Sequence, residues 1–176
     1  MQIFYSGLNR YMKYLLSQAM KEAIVTGAER RERITAEITE RTGITEAMIE
    51  RLVRAFYARI RADAVLAPIF DARIRDWEPH LAQMCAFWSS VALMSGRYHG
   101  TPMAKHVPLP VDAAHFDRWL DLFETTAHEI CPPAAAAHFV ERARRIATSL
   151  ELGIANKQGV LLGIGERFRR NEAGAV

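Results

Sequence analysis

Four side chains of this sequence could do chemistry together: the imidazoles of His80 and His106, the indole of Trp119 and the phenol of Tyr57. Three of them fall in one stretch, Trp77 to Phe123. There His80 lies near the start of a predicted helix, and His106 sits in a short Pro-flanked segment. Trp119 follows on the apolar face of a further helix. Neutral imidazole is a common metal ligand, so two imidazoles and an indole could converge on a flat, apolar, metal-containing ligand. Tyr57 precedes this stretch. Its position on an apolar helical stripe turns its hydroxyl inward, where a buried phenol needs a hydrogen-bond partner from the protein or from a ligand.

The elements that must position these groups are helical throughout. Leu8, Tyr11, Met12, Leu15, Ala19 and Met20 recur at helical spacing and predict an amphipathic N-terminal helix ending before Gly27. The polar run Glu29 to Arg33 reads as a charged linker or helix start, and a short helix from Ile34 to Arg41 stops at Gly43. Thr45 then caps a strongly periodic helix, with Glu46 in its first turn. Ile49, Leu52, Val53, Phe56, Tyr57 and Ile60 form its inward stripe.

Ala67 to Asp71 breaks the pattern as a tight corner around Phe70. Asp76 caps the next helix, on which His80, Met84, Phe87, Trp88 and Val91 share a face, and Gly96 closes it. Residues 97–110 read as irregular, with one helical turn over Met103 to His106. The period returns from Asp112 through Phe116, Trp119, Leu120, Phe123 and Ile130. A last long helix runs from about Ala134 to Asn156 with Phe139, Ala143, Ile146 and Leu150 inward. Residues 157–176 read as a weakly ordered basic tail. No segment alternates like a strand and no internal repeat is present, so the expected class is all-α. The expected division is an N-terminal helical extension over 1–33, one domain over 34–156 and a C-terminal tail over 157–176.

Composition narrows the function. The chain has 176 residues, half of them hydrophobic and 24% charged, which suits one folded domain with a sizeable core rather than a disordered chain. A formal charge of +3 reads as a solvated surface more readily than as a nucleic-acid footprint. Cys85 and Cys131 lie far apart without metal-like spacing, so they read as free thiols of a reducing, cytoplasmic compartment. No apolar run is long enough to span a membrane. There is no HExxH for a metallohydrolase, and Glu124 and His128 are one residue too far apart for a di-iron Glu-x-x-His pair. The glycine-rich run from Gly159 lacks the Lys-Ser/Thr of a phosphate loop, and no nucleophile elbow occurs. Catalysis by protein groups alone is thus poorly supported. A haem site requires less: one neutral imidazole, an apolar slot and a few distal polar groups. His106, on a short Pro-bounded segment, suits the axial role.

The ordered set Phe56-Tyr57, Pro68-Ile69-Phe70, Trp77-Glu78-x-His80, Phe87-Trp88, Tyr98-x-Gly100-x-Pro102, Lys105-His106 and Phe116-x-x-Trp119-Leu120-x-Leu122-Phe123 resembles the group III truncated haemoglobins. Arg142-Ala143-x-x-Ile146-Ala147-x-Ser149 extends the likeness, which runs from about Ile44 to Gly153. The resemblance implies a truncated-globin two-over-two helical sandwich, here with an additional N-terminal helix, around haem b. It implies that His106 is the proximal iron ligand and that Tyr57, His80 and Trp119 are the distal polar residues. Phe70, Met84, Phe87 and Trp88 would line the haem. The iron would be pentacoordinate, binding O2, NO or other diatomic ligands. Tyr57 and Trp119 would donate hydrogen bonds, which suits O2/NO or peroxide-related redox chemistry better than storage. Nitric oxide dioxygenase or peroxidase-like activity would need an electron donor or reductase that the sequence does not identify. His99, His115, His128 and His138 match no ligand position.

Two other readings compete. Ile34 to Leu52 has the Gly and apolar spacing of a DNA-binding helix-turn-helix, though Glu46 and Glu50 would face phosphates and the second helix also carries Tyr57 inward. A haem-free helical scaffold is the other.

Overall fold

The computed structural model describes residues 2–170, with the side chains of residues 12–14, 16–18 and 26–170. Seven helices follow in order: α1 (Gln2–Thr42), α2 (Glu46–Ala62), α3 (Ala67–Asp71), α4 (Trp77–Leu93), α5 (Pro102–His106), α6 (Ala113–Ile130) and α7 (Pro133–Lys157). No strand occurs among the described residues, as the all-α expectation requires.

The core forms because three helices carry capped, continuous apolar stripes. Thr45 caps α2 by accepting from the Met48 N–H at 3.2 Å, and Ile49, Leu52, Val53, Phe56, Tyr57 and Ile60 are all buried. Asp76 caps α4 through the Glu78 N–H at 3.2 Å. Asp112 caps α6 with a reciprocal bond in which its own N–H donates to His115 Nδ1. The helices α2 and α4 pack side by side, as do α6 and α7. Contacts of α2 with α6 and of α4 with α7 join the two pairs into a two-over-two sandwich. At its centre Phe123 stacks between Trp88 (centroids 4.7 Å apart) and Trp119 (5.3 Å), with Phe56 edge-on at 5.1 Å. Such offset and edge contacts stabilise beyond the area they bury.

The first helix departs from the expected break. It runs unbroken for 41 residues through Gly27 and the charged run. A glycine inside a helix costs only about 1 kcal/mol relative to alanine, and the Ala, Glu and Arg residues that follow are strong helix formers. The helix ends where Gly43 adopts φ +71°, a conformation that glycine alone enters without penalty. Its last turns meet the sandwich: Ile38 is buried, and the Thr35 hydroxyl donates to the Leu93 carbonyl at 2.8 Å. Of the expected N-terminal stripe, Leu8, Tyr11, Leu15, Ala19 and Met20 lie outside the described side chains, and Met12 is exposed.

Three further expectations change. Helix α4 closes at Met94, itself left-handed at φ 59°, before Gly96 is reached. The most buried residues of α4 are Leu81, Trp88, Ser89, Ala92 and Leu93, whereas Met84, Phe87 and Val91 are half-buried. This follows because α4 is packed by α1 and α7 as well as by α2. The tail is not loose over its described part. Phe168 is buried among Val111, Phe116, Ala147, Leu150 and Ile154 in a second apolar cluster, and its carbonyl accepts from the Ala113 N–H at 2.7 Å. The buried Glu151 carboxylate accepts from the Phe168 N–H at 2.7 Å and from the Arg167 guanidinium at 3.0 Å. Residues 171–176 lie outside the described chain.

Candidate functional site

Helix α2 carries Tyr57, the short α3 carries Phe70, and the first turn of α4 carries Trp77 and His80. These four rings meet. Tyr57 lies 5.0 Å from the His80 ring and 5.9 Å from Phe70, both edge-on, and 6.0 Å from Trp77. The corner that delivers Phe70 is held by Asp63. Its carboxylate accepts from the Val65 and Leu66 N–H groups at 3.1 and 2.9 Å, and from Arg118 on α6 at 2.7 Å. Trp119 joins from α6 through Phe56, whose ring is 5.3 Å from it and 5.1 Å from Tyr57.

The polar tips in this cluster are short of partners. His80 Nε2 is buried and has no hydrogen-bond partner. Neither the Tyr57 hydroxyl nor the Trp119 indole N–H donates to another protein group among the described residues. Buried polar atoms are nearly always paired, and His80 Nε2 is the one buried side-chain nitrogen or oxygen among the described residues that is not. Burial lowers the His80 pKa from its ordinary value, leaving the ring neutral at pH 7. Burial, and secondarily the nearby Cys85, pushes the Tyr57 phenol upward, so its proton stays on as a donor. An unmet nitrogen also costs stability. His80→Leu is expected to raise the stability of the ligand-free protein by about 1–3 kcal/mol, measured as a higher urea midpoint. An unchanged or lower midpoint would count against the unpaired state of this nitrogen.

His106 stands apart from that cluster at the end of α5. Its Nδ1 is 2.7 Å from the Pro102 carbonyl, one helical turn back. A carbonyl oxygen only accepts, so Nδ1 carries a proton, and in the neutral ring the lone pair is therefore on Nε2. This is the tautomer of a neutral imidazole ready to ligate a metal through Nε2. Helix α5 is seated on α7 by close approach. A Cβ at Gly153 would collide with the Met103 thioether, so glycine there admits the side chain that anchors the His106 segment. Among the described residues, no group of three or more His, Cys, Asp or Glu side chains could hold a metal by itself. A metal here would need most of its ligands from another group.

Of the residues singled out in the sequence, Tyr57, His80 and Phe70 meet directly, and Trp119 is linked to Tyr57 through Phe56. Met84 and Phe87 lie half-buried on α4 with Phe87 against Tyr98 at 5.2 Å, while Trp88 is committed to the core stack. Trp77 was missed as a site residue. It touches both Tyr57 and His80 and carries the Arg61 guanidinium 5.0 Å from its ring. The available signal was its position three residues before His80 on one helix, a spacing that puts two side chains together. His115 and His138 serve the fold, one in the α6 cap and the other bonded to the Ala92 carbonyl at 2.8 Å. Both cysteines are free thiols. Two open clefts, one between Glu124, His128 and Arg145 and one beside Glu151 and Leu162, lie away from all these residues.

The helix-turn-helix reading does not survive this geometry. The turn at Gly43 is present, but the apolar face of α2 is buried against α4 and α6, and its exposed face carries Glu46 and Glu50 where phosphates would lie. Glu46 is further engaged by Arg97 and Ser89.

The sequence matches the bacterial-like globin family over residues 37–150. It is 32% identical over 113 residues to the group 3 truncated haemoglobin Ctb of Campylobacter jejuni, an alignment spanning 61% of this chain and 89% of that protein. The group 2 truncated haemoglobin YjbI of Bacillus subtilis is 29% identical over 79 residues, covering 44% of this chain and 60% of its own length. The crystal structure of the group III truncated haemoglobin from Campylobacter jejuni is similar in fold with a TM-score of 0.57 at 32% identity, over 61% of this chain and 88% of that one. Most of α1 and everything after Leu150 lie outside the family match.

Proposed function

This chain belongs to the bacterial-like globin family, and from that premise we propose a haem b protein that binds O2, NO or other diatomic ligands at an iron ligated by His106. The observation that carries the reading is the imidazole of His106, protonated on Nδ1 by its bond to Pro102 and free on Nε2. Its counterpart is the unmet His80 Nε2, buried beside Tyr57. The half-buried apolar residues Phe70, Met84 and Phe87 would cover the porphyrin, with Trp88 behind them in the core. Haem, when bound, supplies the iron that takes a diatomic gas and changes oxidation state.

The chain's own residues would do the rest. His106 would hold the group from one side, its orientation set by the Pro102 carbonyl. Tyr57 would keep its proton and offer it as a hydrogen bond, and Trp119 would offer its indole N–H. His80, neutral at pH 7, could accept or donate within the same network. If Tyr57 and Trp119 both donated to a bound polar ligand, retention and reaction would be favoured over storage, because charge-assisted hydrogen bonds are the strong ones. Redox chemistry on O2, NO or peroxide is therefore the proposed class, supplied with electrons by a separate reductase.

Titration of the purified protein with ferric haem tests this. One haem per chain should bind with a saturable Soret band, and reduction under carbon monoxide should shift it. A protein that takes up no stoichiometric haem would overturn the proposal in favour of a haem-free scaffold.

A further inference from the structure

Beyond α7 the chain turns through Gly159 (φ +76°) and Gly165 (φ +80°), and between these left-handed positions lies Val160-Leu161-Leu162-Gly163-Ile164. Leu162 packs inward against the Phe168 cluster. Its neighbours do the opposite: Leu161 is 86% exposed and Ile164 fully so, with Val160 and Leu152 also exposed. Isolated surface leucines need no account, but several held out together on one loop mark an interaction site.

The loop is not exposed for want of structure. The Val160 N–H donates to Ala155 at 2.9 Å, and the Gly163 N–H to the Glu166 carboxylate at 2.7 Å. Arg167, Phe168 and Glu151 clamp its far end to α7. The tips of Leu161 and Ile164 are thus presented by a fixed turn.

Its flanks supply the second observation. Lys157 precedes the loop, Arg169 and Arg170 follow it, and all three are exposed. None of their side chains pairs with a carboxylate among the described residues. The nearby acids are engaged: Glu166 on Gly163, Asp117 and Glu151 on Arg167, and Asp112 in the α6 cap with the Arg170 backbone N–H. Two or three exposed apolar tips, with unpaired cations before and after them in the chain, match an anionic bilayer surface, where apolar side chains enter the headgroup boundary and basic ones meet phosphate. We propose that the 160–164 loop, with Lys157, Arg169 and Arg170, docks this protein peripherally on anionic phospholipid. No described helix is long and apolar enough to cross the membrane.

Co-sedimentation of the full-length protein with phosphatidylcholine vesicles, with and without phosphatidylglycerol, tests the proposal. Binding is expected only to the anionic vesicles and should weaken with salt. Leu161→Asp with Ile164→Asp should lower the partition roughly 100-fold, and Arg169→Gln with Arg170→Gln roughly tenfold or more. These side chains are exposed, so unchanged helical circular dichroism should accompany the loss. The proposal is overturned if the wild type stays in solution with anionic vesicles, or if it binds neutral vesicles equally. It is equally overturned if the double-aspartate variant binds as the parent does, or if that variant instead converts a dimer to monomers in light scattering.

Discussion

His106→Ala is expected to abolish stoichiometric haem uptake while leaving the helical sandwich intact. Loss of a partner one shell removed from a metal typically costs about 10–100-fold in affinity, and this substitution removes the ligand itself, so the loss should reach or exceed the upper end. The protein should tolerate it. His106 is half-buried at the end of a five-residue helix, and its one side-chain hydrogen bond is local, worth about 1 kcal/mol. His106→Gly keeps the question open to a positive result, because imidazole added in solution can occupy the vacated place. Restoration of the Soret band by imidazole would assign the ligand directly. A variant that binds haem with an unchanged spectrum would sink the assignment.

Removal of the distal donors should act on release rather than on uptake. Tyr57→Phe and Trp119→Phe each delete one donor without polar replacement. A hydrogen bond to a charged or strongly polarised partner contributes about 1.5–3 kcal/mol, which converts to roughly ten- to 100-fold in the O2 dissociation rate. Stopped-flow displacement by carbon monoxide reads this rate. The Tyr57 contribution should persist into alkaline solution, since burial raises its phenol and delays loss of the proton. Both rings touch Phe56, so the double variant should be non-additive. Unchanged release in both single variants would remove them from the pocket chemistry.

Much of the frame was legible because it rests on local physics. The stripe from Ile49 to Ile60 and the caps Thr45 and Asp76 are properties of a few adjacent residues, and the structure keeps all of them. Where reading failed, a local signal was outweighed. Gly27 suggested an end, but its cost is small beside the helix formers around it. Gly96 suggested the α4 terminus, but Met94 takes the left-handed position two residues earlier. The tail showed no period, because it docks through one aromatic, Phe168, and one buried carboxylate, Glu151, which no periodicity announces.

The sequence by itself determined the helices, the apolar faces and the identity of the polar side chains that could meet a ligand, because each depends on spacing within a turn or two. Tertiary structure decided which of them meet. Tyr57 and His80 are 23 positions apart in the chain, on different helices, yet lie with rings 5.0 Å apart. Trp119 reaches them through Phe56. His80 Nε2 becomes an unpaired atom only once the sandwich closes over it. Burial and pairing are properties of the packed whole, and no run of adjacent residues can state them.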